Sequence, residues 1–173
     1  MREEGGNKVS KLIDIEQERA KFAYDCASFG ISIAEEKKAY NDEYYFDENY
    51  ASYVKKIPAL IKTNGLSATF AYVFAKREKK KEDKKQNGTV KLPGSKDHPK
   101  NGYDLIYEQT RRWLADNPVL SFPELRRKDT ELMKLLLSLN SEQYRQVTLE
   151  ILRLFQWLRR FVEGVKLSGK IPS

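Results

Sequence analysis

Cysteine and histidine are almost absent from this chain of 173 residues, which contains one of each, Cys26 and His98. A single cysteine excludes a disulfide within the chain and leaves no paired spacing that would indicate a metal site. His98 lies in a polar stretch without a companion nucleophile or ligand, so we assign it no catalytic role. The sequence therefore predicts neither a metal nor a cofactor, and it fits a reducing cytoplasm.

Other signatures of catalysis are missing too. The chain has no glycine-rich phosphate loop, no His-Glu-x-x-His run and no nucleophile elbow. Its carboxylates are spread along helix exteriors or gathered in one aromatic segment, whereas metal-dependent nucleases need carboxylates that converge on a cleft. No apolar run reaches the length of a membrane span, and the first residues lack the apolar core of a signal peptide. We expect a soluble intracellular protein that is not an enzyme.

Acidic residues are missing from one long segment. Residues 49–77 contain no Asp or Glu, yet they contain five basic residues: Lys55, Lys56, Lys62, Lys76 and Arg77. Overall, residues 1–48 hold 7 Lys/Arg against 12 Asp/Glu, while residues 49–173 hold 25 against 13. This uneven charge favours a surface for nucleic acid or another polyanion. Lysines on the solvent side of an amphipathic helix are equally ordinary, so that interpretation stays open.

Apolar residues recur at steps of three and four, which predicts an all-α protein with one helical domain. Residues 1–11 are expected to be a flexible lead. The first helix is predicted from Ile13 to Lys38, with Phe22 and Phe29 in its core stripe and with Gly30 as a point where it could bend. Arg19 lies on the same side.

The segment from Tyr40 to Tyr50 mixes acids with aromatic residues. It is interpreted as a loop whose rings cover helix ends, with Asp47 capping the next helix. A docking site for a neighbouring subunit is the alternative.

The next helix is predicted from Glu48 to Asn64, where Pro58 either kinks it or begins a second, shorter helix. Gly65 is expected to end it in the left-handed conformation. Residues 66–74 then predict a strongly apolar helix. Because its alanines would allow another helix to approach closely, we expect it to be the most buried element.

Lysine dominates the segment that follows. Residues 76–100 hold 10 Lys/Arg against 4 Asp/Glu and contain Asn-Gly, Pro-Gly and His-Pro pairs. This composition predicts a flexible basic loop over residues 79–100. Such a loop can bind a phosphate backbone without sequence preference, or it can simply increase solubility.

The last part of the chain predicts three helical segments. One runs from about Tyr103 to Ala115, and the next follows Pro123 with five apolar residues on its inner side: Leu125, Leu132, Met133, Leu136 and Leu137. The last begins after Asn140, with Gln143 placed to complete a capping box, and ends at Gly164.

Basic residues on the outer faces of these segments differ in how strongly neighbouring acidic residues neutralise their charge. Arg111, Arg126 and Arg127 have acidic neighbours that would neutralise much of their field. The arginines of the last helix lie off its core stripe beside Trp157, as a groove for a phosphate backbone would need. Arginine near a helix C-terminus is also favourable through the helix dipole alone.

Three stretches resemble a known family. They are the run from Tyr50 to Leu66, the ending with Ser141–Arg145 and Phe155–Phe161, and Glu18–Ala23 in the first helix. Together they resemble the small helical subunit of type III-B CRISPR effector complexes, the Cmr complex. The similarity covers nearly the whole chain except the lysine-rich loop.

The resemblance implies a compact bundle of about six helices without activity of its own. Copies of such a subunit stack as a filament along the guide RNA and its paired target RNA, beside other Cmr subunits. The protein would then give charge and shape to a duplex whose sequence is read by base pairing. The resemblance also implies that seven basic residues in or near the matching motifs face RNA: Lys55, Lys56, Lys62, Arg145, Arg153, Arg159 and Arg160. The alternative is a helical protein-interaction adaptor with no nucleic-acid role.

One prediction concerns the lysine-rich loop. Deleting residues 79–96 should leave the fold intact, because the apolar stripes that form the core lie outside this segment. Thermal unfolding followed by circular dichroism should remain cooperative. Loss of cooperative melting would show that the loop is structural.

Overall fold

The computed structural model describes residues 4–35, 48–77, 99 and 101–168. These residues form six α-helices and a 3-10 turn (Pro123–Arg126): α1 (Glu4–Glu35), α2 (Tyr50–Asn64), α3 (Leu66–Lys76), α4 (Gly102–Asp116), α5 (Leu132–Ser138) and α6 (Ser141–Ser168). No strand occurs among the described residues. The all-α bundle of about six helices is confirmed.

Helix α6 is the element on which the bundle is assembled. Its apolar stripe, which includes Val147, Ile151, Leu154 and Leu158, is fully buried. Helix α1 packs along one flank of α6 and α2 along the other. Helices α2 and α4 each pack against both α1 and α3, so they lie between those two helices.

The first helix is longer at its start than the apolar stripe predicts. It begins at Glu4, inside the segment treated above as a flexible lead, and it runs through Gly30 without a break. Phe29 is 45% exposed rather than part of the core, so that prediction is wrong. Gly30 serves close packing: a Cβ atom there would lie 2.0 Å from Cε1 of Tyr50.

A single residue joins the next two helices. Pro58 lies inside α2, which continues through it as one helix, so no second helix begins there. Gly65 then has φ 85°, a value that side chains other than hydrogen rarely tolerate, and α3 begins at Leu66. The predicted helix stop at Gly65 is confirmed.

Helix α3 is not the most buried element, and that prediction is wrong. Leu66, Phe70 and Val73 are buried, but the three alanines Ala68, Ala71 and Ala75 are exposed. The physical reason is its position at the edge of the bundle, where a short apolar helix covers the core with one face only.

A buried ion pair joins α1 to α6. Arg19 is only 2% exposed, and its Nε and Nη2 atoms donate to the two carboxylate oxygens of Glu150 at 2.8 and 2.9 Å. Trp113 of α4 donates its ring N–H to the same carboxylate at 3.0 Å. Glu16 also pairs with Arg19. Helices α1, α4 and α6 therefore meet at one buried cluster in which both charged groups have partners.

The later helices mostly begin at the capping residues present in their sequence. Asn101 caps α4 by accepting from the N–H of Asp104, and Asn140 and Gln143 form the predicted capping box of α6. The segment after Pro123 forms the 3-10 turn and α5 rather than one helix. Leu137 is 71% exposed, so its predicted inner position is wrong.

Some predictions fall outside the described residues. They are the loop over Tyr40–Phe46, the cap at Asp47, His98 and the basic loop 79–100, of which only Pro99 is described.

Substituting Gly30 tests the α1–α2 contact. Gly30→Ala should lower the free energy of unfolding by about 1–3 kcal/mol, because overpacking against the buried Tyr50 ring outweighs the helix propensity gained. Gly164→Ala is the matched control, because no atom lies within 4 Å of a Cβ placed there. Urea unfolding measures both. Equal midpoints for Gly30→Ala and the wild type would contradict the contact.

The buried charge cluster gives a second prediction. Glu150→Ala should lower the free energy of unfolding by about 3–5 kcal/mol, because it leaves the Arg19 guanidinium buried without its main partner. The exposed Gln156 on the same helix is the control, and Gln156→Ala should change stability by less than about 0.5 kcal/mol. The double variant Arg19→Met with Glu150→Leu should recover most of the loss. Similar unfolding curves for Glu150→Ala and Gln156→Ala would show that the pair of Arg19 and Glu150 does not stabilise the fold.

Candidate nucleic-acid interface

The predicted RNA-facing residues lie on two adjacent helices, α2 and α6. These helices run antiparallel: Lys55 near the start of α2 pairs with Glu163 near the end of α6 at 3.0 Å. At the other end, the Tyr144 hydroxyl of α6 accepts from the N–H of Ser67, just after α2. The two helices therefore form one continuous surface.

The three lysines of α2 do not all point the same way. Lys55, Lys56 and Lys62 are exposed. Lys55 and Lys62 are seven residues apart, so at about 100° per residue they lie within about 20° on the helix and both face the α6 side. Lys56 is rotated by about 100° from Lys55, toward Tyr53, whose ring stacks on Tyr103 of α4. The structure brings two of the lysines together and separates the third.

The four predicted arginines share the outer surface of α6. Arg145, Arg153, Arg159 and Arg160 are all exposed, and they fall within an arc of about 120° on the side away from the buried stripe. The pKa of Glu163 is lowered mainly by its hydrogen bond from Lys55 and also by the charge of Arg159, which places Arg159 on the α2 side of the arc. The pKa of Glu16 of α1 is lowered mainly by a hydrogen bond from Trp157 and also by the charge of Arg153, which places Arg153 on the α1 side of the arc.

Two carboxylates moderate this positive surface. Glu163 accepts from Lys55, and this hydrogen bond lowers the pKa of Glu163 below its ordinary value. Glu142 pairs with Arg145 at 3.2 Å. Both carboxylates are exposed, so these pairs contribute little to stability and can open in solvent. Among the described residues, no ion pair joins Lys56, Lys62, Arg159 or Arg160 to a carboxylate.

Trp157 marks the boundary between the arginine arc and α1. Its ring N–H donates to Glu16 at 3.1 Å, and this hydrogen bond is the main reason why the pKa of Glu16 is lowered. The guanidinium of Arg160 lies 5.8 Å from the centre of the Trp157 ring. Trp157 and the first half of α1 line an open groove of about 350 Å³.

Basic residues elsewhere are more strongly neutralised, by predicted neighbours for Arg111 and Arg127 and by a residue ten positions away for Arg126. Arg111 binds Glu108 at 2.8 Å, and Arg126 binds Asp116 at 2.7 Å. Arg127 binds Asp129 at 3.0 Å, which raises the pKa of Arg127. The α2–α6 surface is therefore the more coherent positive surface of the described chain.

Sequence reasoning missed the carboxylates that shape this surface. Glu163 lies on the outer arc of α6 and Glu16 lies on α1, and neither position signals its partner because the contacts cross between helices. Glu150 did carry a signal. It lies in an otherwise apolar stripe, where a carboxylate needs a buried partner, and Arg19 lies in the matching stripe of α1.

Two further features are absent from the described residues. No helix among them is long and apolar enough to cross a membrane. No group of three or more metal-ligating side chains converges within that part of the chain.

The chain matches the model of a known protein family. A family model described as CRISPR-associated protein (Cas_Cmr5) matches residues 15–165. The match includes all of α2 to α5 and most of α1 and α6. It also contains all seven residues predicted to face RNA. The chain therefore belongs to the CRISPR-associated Cmr5 family, the small subunits of the type III-B Cmr complex.

Proposed function

We propose that this small subunit has no catalytic activity and supplies a basic surface along the duplex of guide RNA and target RNA in the Cmr complex. The observation that carries the proposal is the exposed arc of four arginines on α6 beside an α2 helix without acidic residues. Family membership places the chain in a multi-subunit Cmr complex. RNA contact is our inference from the charge and its arrangement.

The surface suits a phosphate backbone better than bases. Its cations are long, exposed side chains on two rigid helices, so they present a row of charge rather than a pocket. Phosphate contacts of this kind position a protein on nucleic acid without reading sequence. Sequence would then be read by pairing between guide and target.

The seven residues have different parts in this proposal. Lys55, Lys62 and Arg159 form the centre of the surface, where α2 meets α6. Arg153 and Arg160 extend it toward α1, and Arg145 extends it toward the start of α6. Lys56 is turned toward Tyr53, so it would contact RNA only if the duplex also passes over that side of α2.

Several copies of the subunit would extend the basic surface along the RNA. Copies of the subunit that stack into a filament would align one α2–α6 surface after another along the RNA. Each copy need then hold only a few phosphates, because the contacts of neighbouring copies reinforce one another.

A charge reversal tests the proposal. Lys55→Glu with Lys62→Glu should leave the isolated subunit folded, because both side chains are exposed. The assembled complex should bind target RNA on the order of tenfold more weakly, and the slope of log affinity against log salt should fall by about one for each lost phosphate contact. Filter binding at several salt concentrations measures both quantities.

Arg127→Glu with Lys128→Glu is the matched control, since both residues are exposed and lie away from the α2–α6 surface. It should leave the affinity unchanged. Equal affinities for the two double variants, in complexes with all subunits present, would remove Lys55 and Lys62 from the RNA site. An affinity that reversal of all seven residues leaves unchanged would instead favour a protein-only adaptor.

A further inference from the structure

One carboxylate lies where the basic faces of α2 and α6 meet. Glu163 accepts from Lys55 at 3.0 Å, and the charge of Arg159, one turn earlier on α6, also acts on it. Helix α2 has no acidic residue. Of the other two glutamates of α6, Glu150 is buried and Glu142 lies about 30 Å away at the start of the helix. Glu163 is therefore the acidic residue of these two helices that is placed to compete for Lys55.

The pair of Lys55 and Glu163 has little part in holding the fold. The two side chains are 42% and 50% exposed, and an ion pair at such exposure contributes little to stability. The buried stripe of α6 lies on another side of the helix, so Glu163 fills no space in the core. A carboxylate beside two cations lowers the attraction of that surface for every anion. The main effect of Glu163 is therefore on binding.

The chain also carries anions that compete with RNA for a basic surface. Residues 1–48 hold 12 Asp/Glu against 7 Lys/Arg, whereas residues 49–173 hold 13 against 25. When copies are close together, as the proposed function requires, the acidic part of one copy can approach the basic surface of another. Acidic segments of other proteins offer the same carboxylates. A surface that serves RNA must therefore reject carboxylates as well as attract phosphates.

The two kinds of anion gain differently from displacing Glu163. An acidic segment that reaches Lys55 exchanges one carboxylate for another, and the carboxylate already present is held on the same pair of helices at a high effective concentration. RNA gains more from the exchange, because its row of phosphates releases condensed counterions when cations neutralise it. The carboxylate in place therefore weakens the binding of acidic peptides more than the binding of RNA.

We propose that Glu163 is a specificity-determining residue, which occupies Lys55 until RNA phosphates displace it and so keeps acidic protein segments off the α2–α6 surface. The inference rests on the proposed function, in which that surface binds RNA. It adds a residue that acts by repulsion. Such a residue weakens the binding of every anion, but it increases the ratio between the affinity for RNA and the affinity for other polyanions.

Removing the carboxylate tests the assignment. Fluorescence anisotropy of the full-length chain at low salt compares two labelled probes, a short RNA duplex and a polyglutamate with the same number of charges. Glu163→Gln should strengthen the binding of polyglutamate about fivefold and that of RNA about twofold, so the preference for RNA falls.

Asp129→Asn is the matched control. It removes an exposed carboxylate from an ion pair of the same length, 3.0 Å, with Arg127 on a different surface. Because it changes the net charge by the same amount as Glu163→Gln, it corrects for the general effect of charge on both probes. It should leave the preference for RNA unchanged.

A lysine variant shows whether Glu163 acts through Lys55. In a chain with Lys55→Gln, the group for which Glu163 competes is absent, and only its direct repulsion of the probe remains. Glu163→Gln should then keep no more than about half of its effect on the logarithm of the polyglutamate affinity. An equal effect with and without Lys55 would show that the ion pair has no part in specificity and would overturn the proposal.

The outcomes separate this inference from the proposed function. A preference for RNA that Glu163→Gln leaves unchanged, or that Asp129→Asn lowers as much, would overturn the role of Glu163 even where reversal of Lys55 and Lys62 weakens RNA binding. An RNA affinity that this reversal leaves unchanged would overturn the proposed function and the inference with it. Absence of binding of either probe at low salt would overturn both as well.

Discussion

The packing of α6 between α1 and α2 is the constraint on which the rest of the structure depends. Both flanks of its apolar stripe are occupied, so among the described residues the remaining arc is the part of the helix that faces solvent. Arg19 and Glu150 hold α1 in one position on α6, because any slip along the helix would leave a buried charge without a partner. The exposed arginines are therefore oriented by contacts made on the opposite side of the helix.

Much of this architecture could be predicted from the sequence, since it follows from local signals. The 3.6-residue periodicity predicts the helices, Gly65 predicts the turn between α2 and α3, and Asn140 with Gln143 predicts the start of α6. Each signal acts over a few residues, so no knowledge of the tertiary structure is needed. The family resemblance came from the same kind of local run and is confirmed by the match over residues 15–165.

The errors have a common physical origin. Phe29, Leu137 and the alanines of α3 are apolar residues at regular spacing, yet they are exposed. Periodicity shows which residues share a side of a helix but not whether another element covers that side. In the same way, the sequence identifies Lys55 and Lys56 as neighbours, but helical rotation points them toward different sides. The partnership of Lys55 with Glu163 joins residues more than a hundred positions apart, so no local pattern contains it.

In the proposed RNA-binding role, the pairing of Lys55 with Glu163 would affect selectivity among RNA molecules. A phosphate that approaches this lysine must displace a carboxylate already in place, which reduces the attraction of one isolated subunit for any passing polyanion. Bulk cellular RNA would thus be held weakly by a free subunit. Tight retention would need many such sites presented at once on one strand, so avidity rather than intrinsic affinity would restrict binding to the assembled particle.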